Sequence, residues 1–246
     1  MFDQAYEDYK IFTESCSHFQ EVQQTLGDSI RDYVATLTKP SIGSLEIGCG
    51  YGDTTVQILN ADPRIVLTVS EIDPEMIKCT FKRIDEGGTK ARTICTYQRT
   101  IFELHESSPQ PFDVVASGYT IHNFPNQGPG SKQAYYVRIA EMLKPGGFIG
   151  IGDKCSHGDG SEYRKSLARK MTDFAGYALS QRTDMPLGIR KRALERWMHH
   201  LLLDYEPDRI MHEETTHQQL AEAGFVDIKT VYRKETAAVI TALKGG

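Results

Sequence analysis

The chain has 246 residues, 39% of them hydrophobic and 25% charged, proportions that supply a sizeable core and exclude intrinsic disorder. Lys and Arg number 28 against 33 Asp and Glu, so the formal net charge is −5, which weighs against nucleic acid as the main ligand. No run approaches the roughly 18 apolar residues of a membrane span. The acidic, aromatic start MFDQAYEDYKIF is unlike a signal peptide. Five separated cysteines, at 16, 49, 79, 95 and 155, indicate neither a disulfide framework nor a zinc site. A reducing, cytoplasmic setting is the expectation, with no membrane partner and a monomeric or homodimeric state.

Residues 1–39 read as helical, with Phe12, Cys16, Phe19 and Val22 at helical spacing and a stop at Lys39-Pro40. Ser44–Ile47 is a short apolar strand that ends in glycines. Asp53–Leu59 opens a helix with an acidic cap. Ile65–Ser70 is a β-branched strand, and Pro74–Asp85 a helix with Pro in its first turn. Arg92–Tyr97 and Phe112–Ser117 are the third and fourth strands. Lys132–Leu143 is a helix stopped by Lys144-Pro145-Gly146-Gly147, and Phe148–Gly152 is the fifth strand. Strand–helix alternation predicts a parallel sheet with helices on both faces, a doubly wound α/β fold.

The rhythm then changes. About seventy residues after Asp153 are mostly helical and rich in aromatics and His, too long for a tight αβ connection. They read as a helical cap over 154–213. Thr216–Ala223 is a helix capped by Gly224, and Val226–Tyr232 with Ala237–Leu243 form an antiparallel hairpin. The expected organisation is one domain: a helical segment over 1–39, a Rossmann-like seven-stranded core over 40–153 and 214–246, and the cap.

The sharpest local signal is Glu46-Ile47-Gly48-Cys49-Gly50-Tyr51-Gly52-Asp53 between a strand and a helix. Its glycines permit a tight turn and a close backbone approach to a ligand. Glu71 ends the second strand, which in a doubly wound sheet sets a carboxylate beside that loop, near a ribose. Glu46 suits a cationic amino group. The loop lacks the Lys-Ser/Thr of a phosphate cradle. Together these point to a nucleoside carrying an ammonium group.

At this point the chain resembles a family. SLEIGCGYG is similar to motif I of class I S-adenosylmethionine-dependent methyltransferases. VSEIDPEMI is similar to motif II, FDVVASGYTIHNF to motif IV, EMLKPGGFIGIGDK to the fifth-strand motif, and AEAGFVDIKTVYRKETAAVITAL to the terminal helix and hairpin. The resemblance implies S-adenosylmethionine as cofactor and S-adenosylhomocysteine as product. It implies a cofactor site of Glu46, Gly48, Cys49, Gly50, Gly52, Glu71, Ile72, Thr100, Ile101, Phe102, Ser117, Gly118 and Tyr119. The run Gln98-Arg99-Thr100-Ile101-Phe102 puts Thr100 where the family usually has an adenine-facing acid. KRALERWMHH…HQQLAEAGF also resembles carboxy-S-adenosylmethionine synthase, with Lys191 where that family holds the extra carboxylate with an arginine; a one-residue slip would bring Arg192 there.

Methyl transfer asks mainly for alignment, and for a base only if the acceptor must lose a proton. His122, His157 and Asp153 are the catalytic candidates, beside the ends of strands four and five. Tyr6, Tyr9, Phe12, Tyr119, Asn123, Phe174, Tyr177 and Trp197 are the substrate candidates; the resemblance lets the N-terminal segment close as a lid. Arg190, Lys191, Arg192 and Arg196 form the compact basic cluster, a solvated helix face unless nucleic acid is bound. HEETTH is not HExxH, so no metal site is expected. The favoured expectation is methylation of a small aromatic or N-heterocyclic secondary metabolite. The alternatives are the carboxy-S-adenosylmethionine synthase, another tRNA-modification enzyme, and a non-catalytic nucleoside-binding module.

Overall fold

The β-branched and apolar runs pair into one seven-stranded sheet, ordered β3-β2-β1-β4-β5-β7-β6 in the computed structural model. The structure describes residues 2–16, 18–86, 94–97, 100–103, 111–157, 160–203 and 209–246. The strands are β1 (Ile42–Ile47), β2 (Ile65–Ser70), β3 (Ile94–Tyr97), β4 (Phe112–Gly118), β5 (Leu143–Lys154), β6 (Phe225–Lys234) and β7 (Ala237–Lys244). The first five run parallel, and β7 lies antiparallel between β5 and β6. Chain order reverses between β1 and β4, and ligands settle beyond the strand ends at such a switch point. Arg92, Thr93, Gln98, Arg99 and Gly158, and the side chain of His200, lie outside the described residues.

The helices are α1 (Phe2–Ser15), α2 (Phe19–Ala35), α3 (Asp53–Ala61), α4 (Pro74–Glu86), α5 (Lys132–Met142), α6 (Ser161–Gly176), α7 (Leu187–Leu203) and α8 (Glu213–Glu222). Neighbouring residues of β4 face opposite ways. Val114 joins Val22, Leu26 and Ile30 of α2 and Ile58 of α3 on one face. Val115 joins Tyr135, Tyr136 and Ile139 of α5 and Leu220 of α8 on the other.

The single helical reading over 1–39 divides in two. A break at Cys16–His18 separates α1 from α2. Of the two, α2 is a layer of the core. It lies so close on β5 that a Cβ at Gly150 would come within 2.6 Å of Leu26, and one at Gly152 within 2.7 Å of Val22. The glycines of FIGIG are therefore a packing requirement. Arg64 closes the end of α2 by donating to the carbonyls of Val34 and Leu37.

Strand five is longer at both ends than its apolar run. Leu143 pairs with Phe112, residues 144–147 loop out, and the ladder resumes at Phe148 opposite Val114. The cap is α6, a π-turn over Tyr177–Gln181, and α7. Its own core gathers Tyr163, Leu167, Phe174, Ala193 and Leu201 with Ile11 of α1, so α1 packs on the cap. Among the described residues no helix is long and apolar enough to cross a membrane.

Candidate active site

A cavity of about 650 Å³ opens beyond the carboxyl ends of β1, β2, β4 and β5, beneath α1 and the cap. That volume falls within the roughly 300–1,000 Å³ of small-molecule sites. Its floor is the glycine loop. Gly48, Gly50 and Gly52 all have positive φ, at 72°, 51° and 85°. A Cβ built at Gly50 meets nothing within 4 Å, so the backbone there lies open to the cavity. At Gly48 the constraint is protein: a Cβ would come within 2.3 Å of Thr120 Oγ1. Gly52 starts α3 from a left-handed conformation and does not line the cavity.

Glu71 reaches the cavity from the end of β2. Its Oε1 accepts from the Ile72 and Asp73 amides at 2.8 and 3.1 Å, and Oε2 from the Gly50 amide at 3.1 Å. A carboxylate has about four acceptor sites, so one remains for a ribose hydroxyl. Ile72, 65% exposed, lines the cavity with Ile101 and Phe102 and offers apolar faces to a flat base. Thr100 also lines it, with its hydroxyl turned back onto Glu103 Oε2 at 2.9 Å. Cys49, Gly118 and Tyr119 complete the lining on this side. These residues fit S-adenosylmethionine: Glu71 for the ribose, Ile72, Ile101 and Phe102 for the base, and the open loop for the methionine portion.

Besides Gly52, two expected cofactor residues lie elsewhere. Glu46 is buried behind the loop and does not line the cavity. Its Oε2 accepts from Thr55 Oγ1 at 2.5 Å, while Oε1 has no partner among the described residues. Burial pushes its carboxyl up to about 8. Strand alternation explains the placement, because Glu46 still lies within β1 and its side chain follows the strand's register. Ser117 is likewise internal; it donates to the Ile47 carbonyl at 3.2 Å and accepts from Tyr135 at 3.3 Å.

His122 sits on the short 3-10 turn Ile121–Asn123 after β4 and lines the cavity. Its Nδ1 faces Asp153 Oδ1 at 2.6 Å, and its own amide donates to Asp153 Oδ2 at 3.1 Å. Asp153 is 1% exposed and also accepts from the Lys154 amide at 2.7 Å. It stands behind His122 and does not line the cavity. His157 belongs to a separate pocket with Glu213, Glu214, His217 and Arg233, where its Nδ1 faces Glu213 at 2.8 Å. Position after strand five had suggested cavity access; the Ser156–His212 bridge carries the residue to the α8 side instead.

The aromatic candidates divide. Tyr9, Phe12, Phe174 and Trp197 line the cavity, as does exposed Asn123. Phe12 stacks on Trp197 at 4.5 Å and meets Phe174 edge-on at 5.5 Å. Tyr9 stacks on Tyr51 of the loop at 4.0 Å and donates to Asp53 at 2.7 Å. Tyr119 stacks on Phe19. Tyr6 is buried outside the cavity, where its hydroxyl accepts from Arg83 at 2.9 Å. Tyr177 turns away and donates to Glu14. Lys191 and Arg192 lie on the exposed face of α7 and do not reach the cavity, so the position that would hold a carboxylated cofactor faces solvent.

Sequence reasoning missed Asp53, Tyr51, Lys154 and Lys170, all of which line the cavity. Asp53 had been read as a helix cap alone. It joins Tyr9 and Arg83 in one network that fastens α1 to the loop, and burial raises its pKa.

The methyltransferase-domain family model matches residues 45–149. No curated protein sequence matches the chain significantly. Among solved structures, the CurJ carbon methyltransferase is 17% identical at a TM-score of 0.61, with 91% of this chain and 54% of that one covered. An O-methyltransferase family protein from Burkholderia thailandensis is 13% identical at 0.59, covering 90% and 57%. Magnesium protoporphyrin IX methyltransferase from Synechocystis PCC 6803, solved with bound S-adenosylmethionine, is 11% identical at 0.55, covering 91% and 79%. The chain thus spans about half the length of the first two. Residues 45–149 thus match a methyltransferase domain, and the chain shares its fold with solved methyltransferases.

Proposed function

We propose that the chain transfers a methyl group to an apolar, ring-bearing small molecule whose reacting oxygen or carbon first gives up a proton. The observation that carries this is the His122–Asp153 pair at the cavity end of β4. By accepting from Nδ1–H, Asp153 fixes the tautomer in which Nε2 keeps its lone pair. The imidazole takes the acceptor's proton at Nε2, and the buried carboxylate stabilises the cation formed. Asp153 acts through the histidine and is a positioning residue. Phe12, Phe174 and Trp197 offer flat apolar surface to the acceptor, and α1 and the cap exclude water.

When bound, S-adenosylmethionine supplies a methyl group already activated by a positive sulfur, which departs as a neutral thioether and needs no acid. The new acceptor–carbon bond forms as the sulfur–carbon bond breaks. The chain's task is therefore alignment plus removal of one proton. The neighbours named for carbon and for oxygen methylation support an acceptor that must be deprotonated.

The test is transfer from tritium-labelled S-adenosylmethionine to phenols and β-dicarbonyl compounds. His122→Ala should lower turnover about 10²–10⁴-fold while leaving affinity for S-adenosylhomocysteine unchanged. Normal turnover in the variant would remove the base. Absence of cofactor binding by isothermal titration would remove the reaction.

A further inference from the structure

The sheet-packed helix α2 sends one amide side chain to the cavity. Gln23, one turn in from the start of α2, lines it and is only 3% exposed. Its Oε1 accepts from Thr54 Oγ1 at 2.8 Å, while its Nε2 has no partner among the described residues. Thr54 lines the cavity as well. Gly118, the last residue of β4, makes room for this pair: a Cβ there would come within 2.0 Å of Thr54 Oγ1 and 3.4 Å of Gln23 Nε2. The amide nitrogen therefore stands at the sheet's edge beside β4. It is a donor only, and a donor enclosed in this way is left to whatever fills the cavity.

Thr54 belongs to the first turn of α3, a nine-residue helix that starts from Gly52 with no side chain capping its end. The Val56 amide takes the Gly52 carbonyl, so the amides of Asp53, Thr54 and Thr55 have no acceptor within the helix. Such an end favours an anion. One acid stands in the same turn, Asp53, which accepts from Arg83 at 3.0 Å and from Tyr9 at 2.7 Å, so its charge is already shared with a cation. Gln23 and the helix end thus meet at Thr54 from separate elements, both offering N–H groups. The strand order places them relative to the cofactor: the ribose acid at β2, the glycine loop after β1, then Gly118 at β4. A cofactor with its ribose at Glu71 and its sulfur chain over the loop brings its amino-acid end toward the β1–β4 switch, where Gln23 and Thr54 lie.

We propose that Gln23 is a cofactor-binding residue whose Nε2 donates to the methionine carboxylate of S-adenosylmethionine, with the first turn of α3 behind that carboxylate. This rests on reading the cavity as a methyl-transfer site. A neutral amide suffices because the helix end supplies the positive field. Thr54 keeps the amide turned: its hydroxyl occupies Oε1 and leaves Nε2 to the ligand. Holding the carboxylate fixes one end of the chain that carries the sulfur, as Glu71 fixes the other, and so aligns the methyl group with His122. Gln23 lies outside residues 45–149, the part that matches the methyltransferase domain.

The test compares S-adenosylhomocysteine with S-adenosyl-3-thiopropylamine, the same molecule without its carboxylate, by isothermal titration into the full chain. The wild type should prefer the carboxylate by about ten- to hundred-fold, the range of a hydrogen bond to a charged group. Gln23→Met keeps the length of the side chain and removes the donor. It should lose most of that preference through weaker binding of S-adenosylhomocysteine, with affinity for the amine unchanged. Gln23→Glu keeps an acceptor for Thr54, and with it the packing, but turns a carboxylate toward the ligand's own. It should bind S-adenosylhomocysteine more weakly than Gln23→Met and the amine at least as well as the wild type. A preference intact in both variants, or an equal loss of both ligands in each, would overturn the proposal, because the amide would then only shape the wall. Equal, tight binding of both ligands by the wild type would remove the role of Gln23 and leave the methyl-transfer reading standing. Binding of neither ligand would sink that reading and this proposal with it.

Discussion

Two histidines each turn Nδ1 toward a carboxylate, His122 toward Asp153 at 2.6 Å and His157 toward Glu213 at 2.8 Å, and only the first lines the cavity. Their surroundings differ more than their distances. Asp153 takes its other hydrogen bonds from backbone amides, those of His122 and Lys154. Glu213 is shared by the Arg233 guanidinium and the Thr230 hydroxyl. Burial raises the Glu213 carboxyl, but the hydrogen bonds from Thr230, Arg233 and His157 outweigh it and bring its pKa below the usual value. A carboxylate already neutralised by arginine has less charge to lend an imidazolium. The comparison therefore supports the proposed base role of the first pair and a structural role for the second.

The largest effect expected from this contrast is on turnover. Asp153→Asn should cost about 10²–10⁴-fold in rate, because the amide can no longer fix the tautomer or support the cation. Glu213→Gln should leave the rate near that of the wild type. Equal losses in both, measured with a turned-over acceptor, would erase the distinction.

A third buried carboxylate sharpens it. Among the described residues Glu46 faces neither histidine nor cation, and its folded pKa of about 8 lies above the ordinary 4.5. The folded state keeps a proton that the unfolded chain releases between those values. Stability from the protonated form is full below pH 4.5 and declines toward pH 8, by up to about 1.4 kcal/mol per pH unit. Melting temperatures of Glu46→Gln against wild type should diverge in the variant's favour across that window. Parallel curves would mean that Glu46 is ionised in place.

The smallest effect belongs to Glu213. Its lowered pKa means that its contribution is full above pH 4.5 and is lost as pH falls below it. The stability gap between wild type and Glu213→Gln should therefore close in acid. A gap that persists unchanged well below pH 4.5 would show that the carboxylate's charge does not hold this corner together.

Much of the frame was legible because its signals are local. β-branched runs, the glycine loop and Glu71 at the end of β2 are set by a few consecutive residues, and the sheet, the loop and the place of Glu71 at the cavity follow. Most of the expected cofactor residues line the cavity, apart from Gly52 and the strand residues Glu46 and Ser117. Alternation along β1 and β4 could have flagged both, since each sits within a strand, where side-chain direction follows register. The acceptor half was harder. Lys154 and Lys170 are sixteen positions apart and converge only because the β7 turn brings Thr236 between them. His157 and Tyr177 failed for the same reason, as proximity in sequence to the fifth strand or the cap says nothing about which side a turn takes. Nor did helical spacing over 1–39 reveal that α1 belongs with the cap and α2 with the sheet.

One buried cation ties the acceptor loop to the cap's return. Lys132, 1% exposed at the start of α5, donates through Nζ to the Phe124 carbonyl at 2.5 Å, to Asn126 Oδ1 at 2.8 Å and to the Arg209 carbonyl at 3.3 Å. Two stretches, 124–126 and Arg209, thus share one ammonium group, and separating either removes a hydrogen bond from a buried charge. The histidine's loop and the cap's exit are in effect bolted to the same beam.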